Sequence, residues 1–112
     1  MRYTVSIKEN RDFRRLYNSG KSAANLYLAI YCRRNRDGIS RLGLTVGKRV
    51  GKAVVRNRVR RRIREAYRLC EEKISLGFDI IIVARTKSAD AAYRDIDKAL
   101  KSLLRRMDIY KE

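Results

Sequence analysis

The side chains in this sequence best equipped for chemistry are arginines. From Gly47 to Arg68, ten of twenty-two residues are Lys or Arg, against the single acid Glu65. The run contains Lys48, Arg49, Lys52, Arg56-Asn57-Arg58, Arg60-Arg61-Arg62, Arg64 and Arg68. Guanidinium groups grip phosphate oxygens and base edges through forked pairs of hydrogen bonds. The chemistry on offer is therefore capture of a polyanion. Neighbouring like charges on a helix cost roughly 0.2–0.5 kcal/mol per pair. Repeating that cost makes sense where each neutralised phosphate releases condensed counterions. A merely solvated face would mix both signs. Gly47, Gly51 and the start of the helix could add backbone N–H donors to a phosphate, or could simply serve the turn.

A second set is aromatic. Phe13 and Tyr17 lie one helical turn apart, and Tyr27 and Tyr31 alternate onto one face of a strand with Arg33. The following strand turns Gly43, Thr45 and Gly47 to its second face, leaving a nearly bare floor that a polynucleotide backbone could approach. Exposed rings beside such a floor suit stacking on single-stranded RNA. The plainer alternative is that the first helix folds over this face and buries the rings as a small core.

Groups for covalent or acid–base catalysis are scarce. There is no histidine, and the acids are scattered. Asp95 and Asp97 point in different directions on a helix, Glu71 and Glu72 are adjacent, and Asp12 and Asp79 stand alone. A metal-dependent nuclease needs clustered carboxylates. Cys32 and Cys70 are far apart, too few for a four-ligand zinc site, and read as buried reduced thiols. No catalytic residue and no metal ligand is expected in the protein itself.

These groups need elements to hold them. Phe13, Leu16 and Tyr17 fall at helical spacing in a helix over Lys8–Asn18, closed by Ser19-Gly20. Ser22–Arg33 alternates as one strand, with Ala24, Leu26, Leu28, Ile30 and Cys32 on the core face. Asn35–Gly38 is a turn, and Leu42, Leu44 and Val46 mark a second strand. Lys52–Ile74 reads as one long helix with the apolar stripe Val55, Val59, Ile63, Ala66, Tyr67, Cys70 and Ile74, while Arg58 and Arg62 lie on its flank. Gly77 marks its exit, Phe78–Ala84 is a strand buried on both faces, and Ala91–Met107 is a last amphipathic helix. The implied fold is an α/β sandwich of one sheet with helices, in a single RNA-binding domain over 1–112. With 45% hydrophobic residues the chain can fold, and a formal charge of +17 calls for a polyanionic partner. No segment approaches the ~20 apolar residues of a membrane span, and no signal peptide is apparent. A soluble cytoplasmic protein is expected.

The stretch Gly51-Lys52-Ala53-Val54-Val55-Arg56-Asn57-Arg58-Val59-Arg60-Arg61 resembles the protein subunit of bacterial ribonuclease P, whose signature triplet is Arg-Asn-Arg. The likeness extends to Asn10-Arg11-Asp12-Phe13, Leu42-Gly43-Leu44-Thr45-Val46 and Asp79–Arg85, nearly the whole chain. It implies a ribosomal-protein-like fold with a left-handed βαβ crossover around the basic helix. It implies a ribonucleoprotein in which the RNA subunit, with bound Mg2+, removes the 5′ leader of precursor tRNA while the protein assists. By position, Arg56, Asn57, Arg58, Arg60, Arg61 and Arg64 would face the catalytic RNA, joined by Lys48, Arg49, Lys52 and Arg68 of the same basic run. Phe13, Tyr17 and Tyr31, joined by Tyr27, Arg33 and Thr45 of the same predicted face, would contact the leader. Two positions depart from the family pattern: Gly47 stands where relatives often place Ser, and Tyr17 where others carry Phe. The implied partners are ribonuclease P RNA and precursor tRNA, with no membrane and no obligate protein partner. The rival readings are a ribosomal or general structural RNA-binding protein, a protein-only nuclease, and, more remotely, a membrane-active cationic protein.

Overall fold

Phe78–Ala84, apolar on both faces, becomes the central strand of a five-stranded sheet. The computed structural model describes residues 1–112. The chain runs β1 (Thr4–Ser6), α1 (Asn10–Ser19), β2 (Lys21–Ala24), β3 (Leu28–Arg34), β4 (Ser40–Thr45), α2 (Ala53–Cys70), β5 (Phe78–Ala84) and α3 (Tyr93–Arg106). Short 3-10 turns occupy Lys48–Val50, Glu71–Lys73 and Thr86–Asp90. The strand order is β1-β4-β5-β3-β2. β5 is parallel to β4 and antiparallel to β3, so the sheet is mixed, and α2 is the crossover between parallel neighbours.

The period of two along β5 divides the core. Ile80, Ile82 and Ala84 join Leu28, Ile30 and Cys32 of β3 in the large cluster under α2 and α3. α2 contributes Val59, Ile63, Ala66, Tyr67 and Cys70, and α3 contributes Ile96, Ala99, Leu100, Leu103 and Leu104. Ile81 faces the other way and meets Ile7 and Leu16, with Phe13, Tyr31 and Val83 packed around them. The sheet and the α2/α3 layer thus form the expected sandwich, and α1 lies alone across the opposite face. No helix is long and apolar enough to cross a membrane.

Three local expectations need correction. The strand Ser22–Arg33 is a hairpin: the Asn25 side-chain oxygen accepts from the Tyr27 and Leu28 N–H groups at 3.2 and 3.0 Å, and β2 folds back on β3. The alternation therefore restarts at Leu28. Leu26 is left exposed, and Tyr27 packs against the large core cluster instead of joining Tyr31. The long helix stops at Cys70 and tightens into the 3-10 turn Glu71–Lys73. Strand β1, parallel to β4, was not foreseen.

Candidate nucleic-acid interface

The single helix on the α1 side leaves much of that sheet face open. Tyr17 and Tyr31 meet edge to face with centroids 4.8 Å apart, Phe13 lies 6.5 Å from Tyr17, and the Tyr17 hydroxyl is 3.1 Å from Thr45 Oγ1. Phe13, Tyr17, Tyr31 and Thr45 are thus brought into one groove along a flank of α1. Both starting readings are partly realised here. Phe13 and Tyr31 are half-buried against the small core, while Tyr17 remains exposed. Arg33 shares the face but lies beyond α1, with Nη1 3.4 Å from the Ser19 hydroxyl. Tyr27 faces the other side of the sheet.

The bare floor is not bare at Gly43. A Cβ there would stand 2.7 and 2.8 Å from two carbons of the Phe13 ring, so glycine makes room for the ring and not for a ligand. Gly47 does face open space. Gly43→Ala should accordingly displace Phe13 and destabilise the fold by about 1–3 kcal/mol, as overpacking does. In a urea-denaturation double-mutant cycle with Phe13→Leu, part of that loss should be recovered; strict additivity would show that the ring is not what the methyl strikes.

On α2 the arginines divide by what they touch. Arg58 donates to the Ala89 carbonyl at 3.2 Å and Arg62 to that of Ala91 at 2.6 Å, tying α2 to the segment after β5. Arg68 forks onto Glu65 of its own helix at 3.0 and 2.6 Å. Asn57 accepts from Arg60 Nη1 at 3.1 Å and so steers that side chain. Lys48, Arg49, Lys52, Arg56, Arg60, Arg61 and Arg64 have no carboxylate within ion-pair distance. The first turn of α2 also lacks a side-chain cap, leaving a helix N-terminus that favours anions next to Lys48, Arg49 and Lys52. Arg60 and Arg64 reach the β1–β4 edge, where they line a cleft of about 200 Å³ together with Phe13 and Gly43. Two arginines of α2 and one ring of the aromatic set therefore line one cleft.

Comparison with known proteins agrees along the chain. A family model described as Ribonuclease P matches residues 1–108. The chain belongs to this family. It is 53% identical over 107 residues to the ribonuclease P protein component of Clostridioides difficile (strain 630), covering 95% of this chain and 94% of that one. To the component from Alkaliphilus oremlandii (strain OhILAs) it is 46% identical, covering 92% and 90%. Among solved structures, the Staphylococcus aureus RNase P protein superposes with a TM-score of 0.84 at 36% identity, covering 95% of this chain and 97% of that one. The Thermotoga maritima RNase P protein gives 0.82 at 33%, covering 90% and 96%.

In this chain the Arg56-Asn57-Arg58 triplet is not a uniform row of free cations. Arg58 is engaged within the fold and Asn57 serves Arg60, whereas Arg61 is exposed. Arg62, left out of the interface by the sequence reading, shares the work of Arg58, and its place on the helix flank was the available signal. Cys32 and Cys70 are buried and unpaired, and burial pushes both thiols up to about 11, far from nucleophilic. Asp79 and Asp37 pair with Arg41, and Asp97 pairs with Lys101. No three Cys, Asp or Glu side chains converge as metal ligands.

Proposed function

We infer that this chain is the non-catalytic protein component of ribonuclease P, acting in the cytoplasm with ribonuclease P RNA. It seats the 5′ leader of precursor tRNA while the RNA subunit cuts the leader from the mature 5′ end. One observation carries this reading: two arginines of α2, Arg60 and Arg64, line the same cleft as Phe13, the ring that packs 6.5 Å from Tyr17 in the aromatic set. A strand can lie in the groove while a second RNA is held on α2. Lys48, Arg49, Lys52, Arg56, Arg60, Arg61 and Arg64 contact the catalytic RNA directly; Asn57 orients Arg60 on that surface and Arg58 braces the helix beneath it. Phe13, Tyr17, Tyr31 and Thr45 contact the leader, with Arg33 beyond α1.

The family resemblance implies Mg2+ in the holoenzyme. Mg2+ is held through carboxylate and phosphate oxygens, and here the carboxylates are dispersed or already paired, so the residues present do not fit a protein-held ion. What the protein supplies is positive charge against crowded phosphates, which lowers the Mg2+ that the RNA needs. The groove adds binding energy for a leader that mature tRNA lacks. If stacking and phosphate contact contribute ~2–3 kcal/mol, precursor is favoured over product by ~30- to 150-fold.

Cleavage of precursor tRNA at limiting Mg2+ tests the reading, using a bacterial ribonuclease P RNA alone, this protein alone, and both. Cleavage at the mature 5′ end only with both is the expected result, together with holoenzyme preference for precursor. Equal affinity for precursor and mature tRNA would remove the leader role. Activity unchanged by added protein, with co-sedimentation on ribosomal subunits, would favour a structural RNA binder.

A further inference from the structure

The flank of α1 turned away from Thr45 borders a second groove, about 520 Å³ in volume. Its floor is a cross-strand row in register: Arg33 on β3, Asp79 on β5 and Arg41 on β4. Arg36 in the turn after β3 and Arg15 on α1 also line it. The charges in this groove do not cancel. Arg41 is taken up by Asp37 and by Asp79, the latter at 3.3 Å, and Asn35 also donates to Asp79 at 2.9 Å. Arg34 turns aside, its guanidinium 5.5 Å from the centroid of the Phe78 ring. Arg15, Arg33 and Arg36 have no carboxylate within ion-pair distance, and Asp12 is the one acid of the groove left without a partner.

Three unpaired guanidiniums around one opening repel each other, and a row of phosphates relieves that repulsion. The lining is polar except for Ile7, so it offers no ring on which a base could stack. It suits backbone, not bases. The groove opens on the same sheet face as Phe13, Tyr17 and Tyr31, whereas α2 packs on the other face. Between the two grooves runs the outer surface of α1, where Arg14 and Arg15 are exposed and unpaired. A cationic track therefore leads from the aromatic groove over α1 to the second one.

We propose that this second groove holds the phosphodiester backbone of the leader upstream of the segment seated on Phe13, Tyr17 and Tyr31, the strand crossing α1 over Arg14 and Arg15. The proposal rests on the leader reading above and extends it to a new site. Longer leaders gain affinity through charge at Arg15 and Arg36, and leaders too short to cross α1 do not.

The test uses reconstituted holoenzyme and precursor tRNAs with leaders of about three and about ten nucleotides, one below and one above the roughly four nucleotides of the shortest single-strand sites on OB folds. Arg15→Gln/Arg36→Gln changes two exposed side chains, and a thermal melt confirms the fold. Each single-strand phosphate contact contributes about 0.7 to the salt slope. On the long leader the double variant should lower that slope by about 1.4, shrinking the loss of affinity between about 50 and 200 mM salt roughly sevenfold. The short leader should show no change, and Arg15→Lys/Arg36→Lys should restore the slope. An unchanged slope on the long leader would overturn the proposal. An equal loss on both leaders would overturn it as well, and so would a loss already present in the complex of protein and catalytic RNA alone, which would place catalytic RNA in this groove. If wild-type holoenzyme prefers precursor to mature tRNA while any of these occurs, the leader reading stands and only the second groove falls.

Discussion

Replacing Arg60, Arg61 and Arg64 together by glutamine should weaken binding of ribonuclease P RNA by several hundred-fold near 0.1 M salt. The three have no carboxylate partner, and they project from one side of α2. A helix that neutralises duplex phosphates adds about 0.9 to the salt slope per contact, roughly an eightfold gain for each between about 1 M and 0.1 M salt. Three contacts then contribute roughly 500-fold, and the slope should fall by about 2.7. Arg58→Gln and Arg62→Gln provide the contrast. Their donor groups are spent on Ala89 and Ala91 carbonyls at 3.2 and 2.6 Å. Losing either bond should lower unfolding stability by about 1–3 kcal/mol while leaving the salt slope nearly unchanged. Titrations at several salt concentrations, paired with urea unfolding, separate the two classes. A fall of about 0.9 in slope for Arg58→Gln would mean that its guanidinium leaves Ala89 and meets phosphate in the complex.

That contrast shows where sequence reading stops. Arg58 and Arg61 are the same residue three positions apart on one helix, and the flank position of Arg58 is the only local hint that they differ. What separates them is Ala89, thirty-one positions downstream of Arg58, which the β4–α2–β5 crossover brings alongside. In three elements the periodic signal made the fold legible: the buried run of β5, the stripe of α2 as far as Cys70 and the apolar side of α3 sit where spacing put them. The Ser22–Arg33 hairpin hid behind an unbroken alternation, because one Asn25 side chain is enough to turn the chain and reset which residues face inward. That reset is why Tyr31 reached the groove and Tyr27 did not. β1 is only three residues long and pairs with residues some thirty-six positions away, Thr4 against Ser40, a register that no local pattern encodes. The role of Gly43 was likewise invisible until Phe13 was seen lying on it.

Glu71→Gln should cost about 2–3 kcal/mol of stability near neutral pH, and the gap should close in acid. Glu71 is buried at the end of α2 and ties down the N-terminal strand. It accepts from the Arg2 N–H at 2.9 Å, the Tyr3 N–H at 3.1 Å and the Thr4 hydroxyl at 2.5 Å, while Tyr67 supports Thr4 at 3.3 Å. An amide presents one oxygen instead of two, so at least one donor loses its partner. Hydrogen bonds to a charged group contribute about 1.5–3 kcal/mol each. Burial by itself pushes the carboxyl up. The Thr4 hydroxyl, the Arg2 and Tyr3 N–H groups and the terminal ammonium outweigh it and hold Glu71 below its ordinary 4.5. A folded value below the unfolded one adds stability that is complete above the unfolded range and is lost as pH falls through the folded value. Urea unfolding of wild type and Glu71→Gln from about pH 7 down to about pH 3 should therefore show curves that converge below pH 4.5. A gap that stays constant would mean that Glu71 acts through packing and not through charge. The clamp bears on function, because Thr4, Val5 and Ser6 of β1 line the same cleft as Arg60, Arg64 and Phe13. Releasing it should loosen that junction before the rest of the sheet gives way.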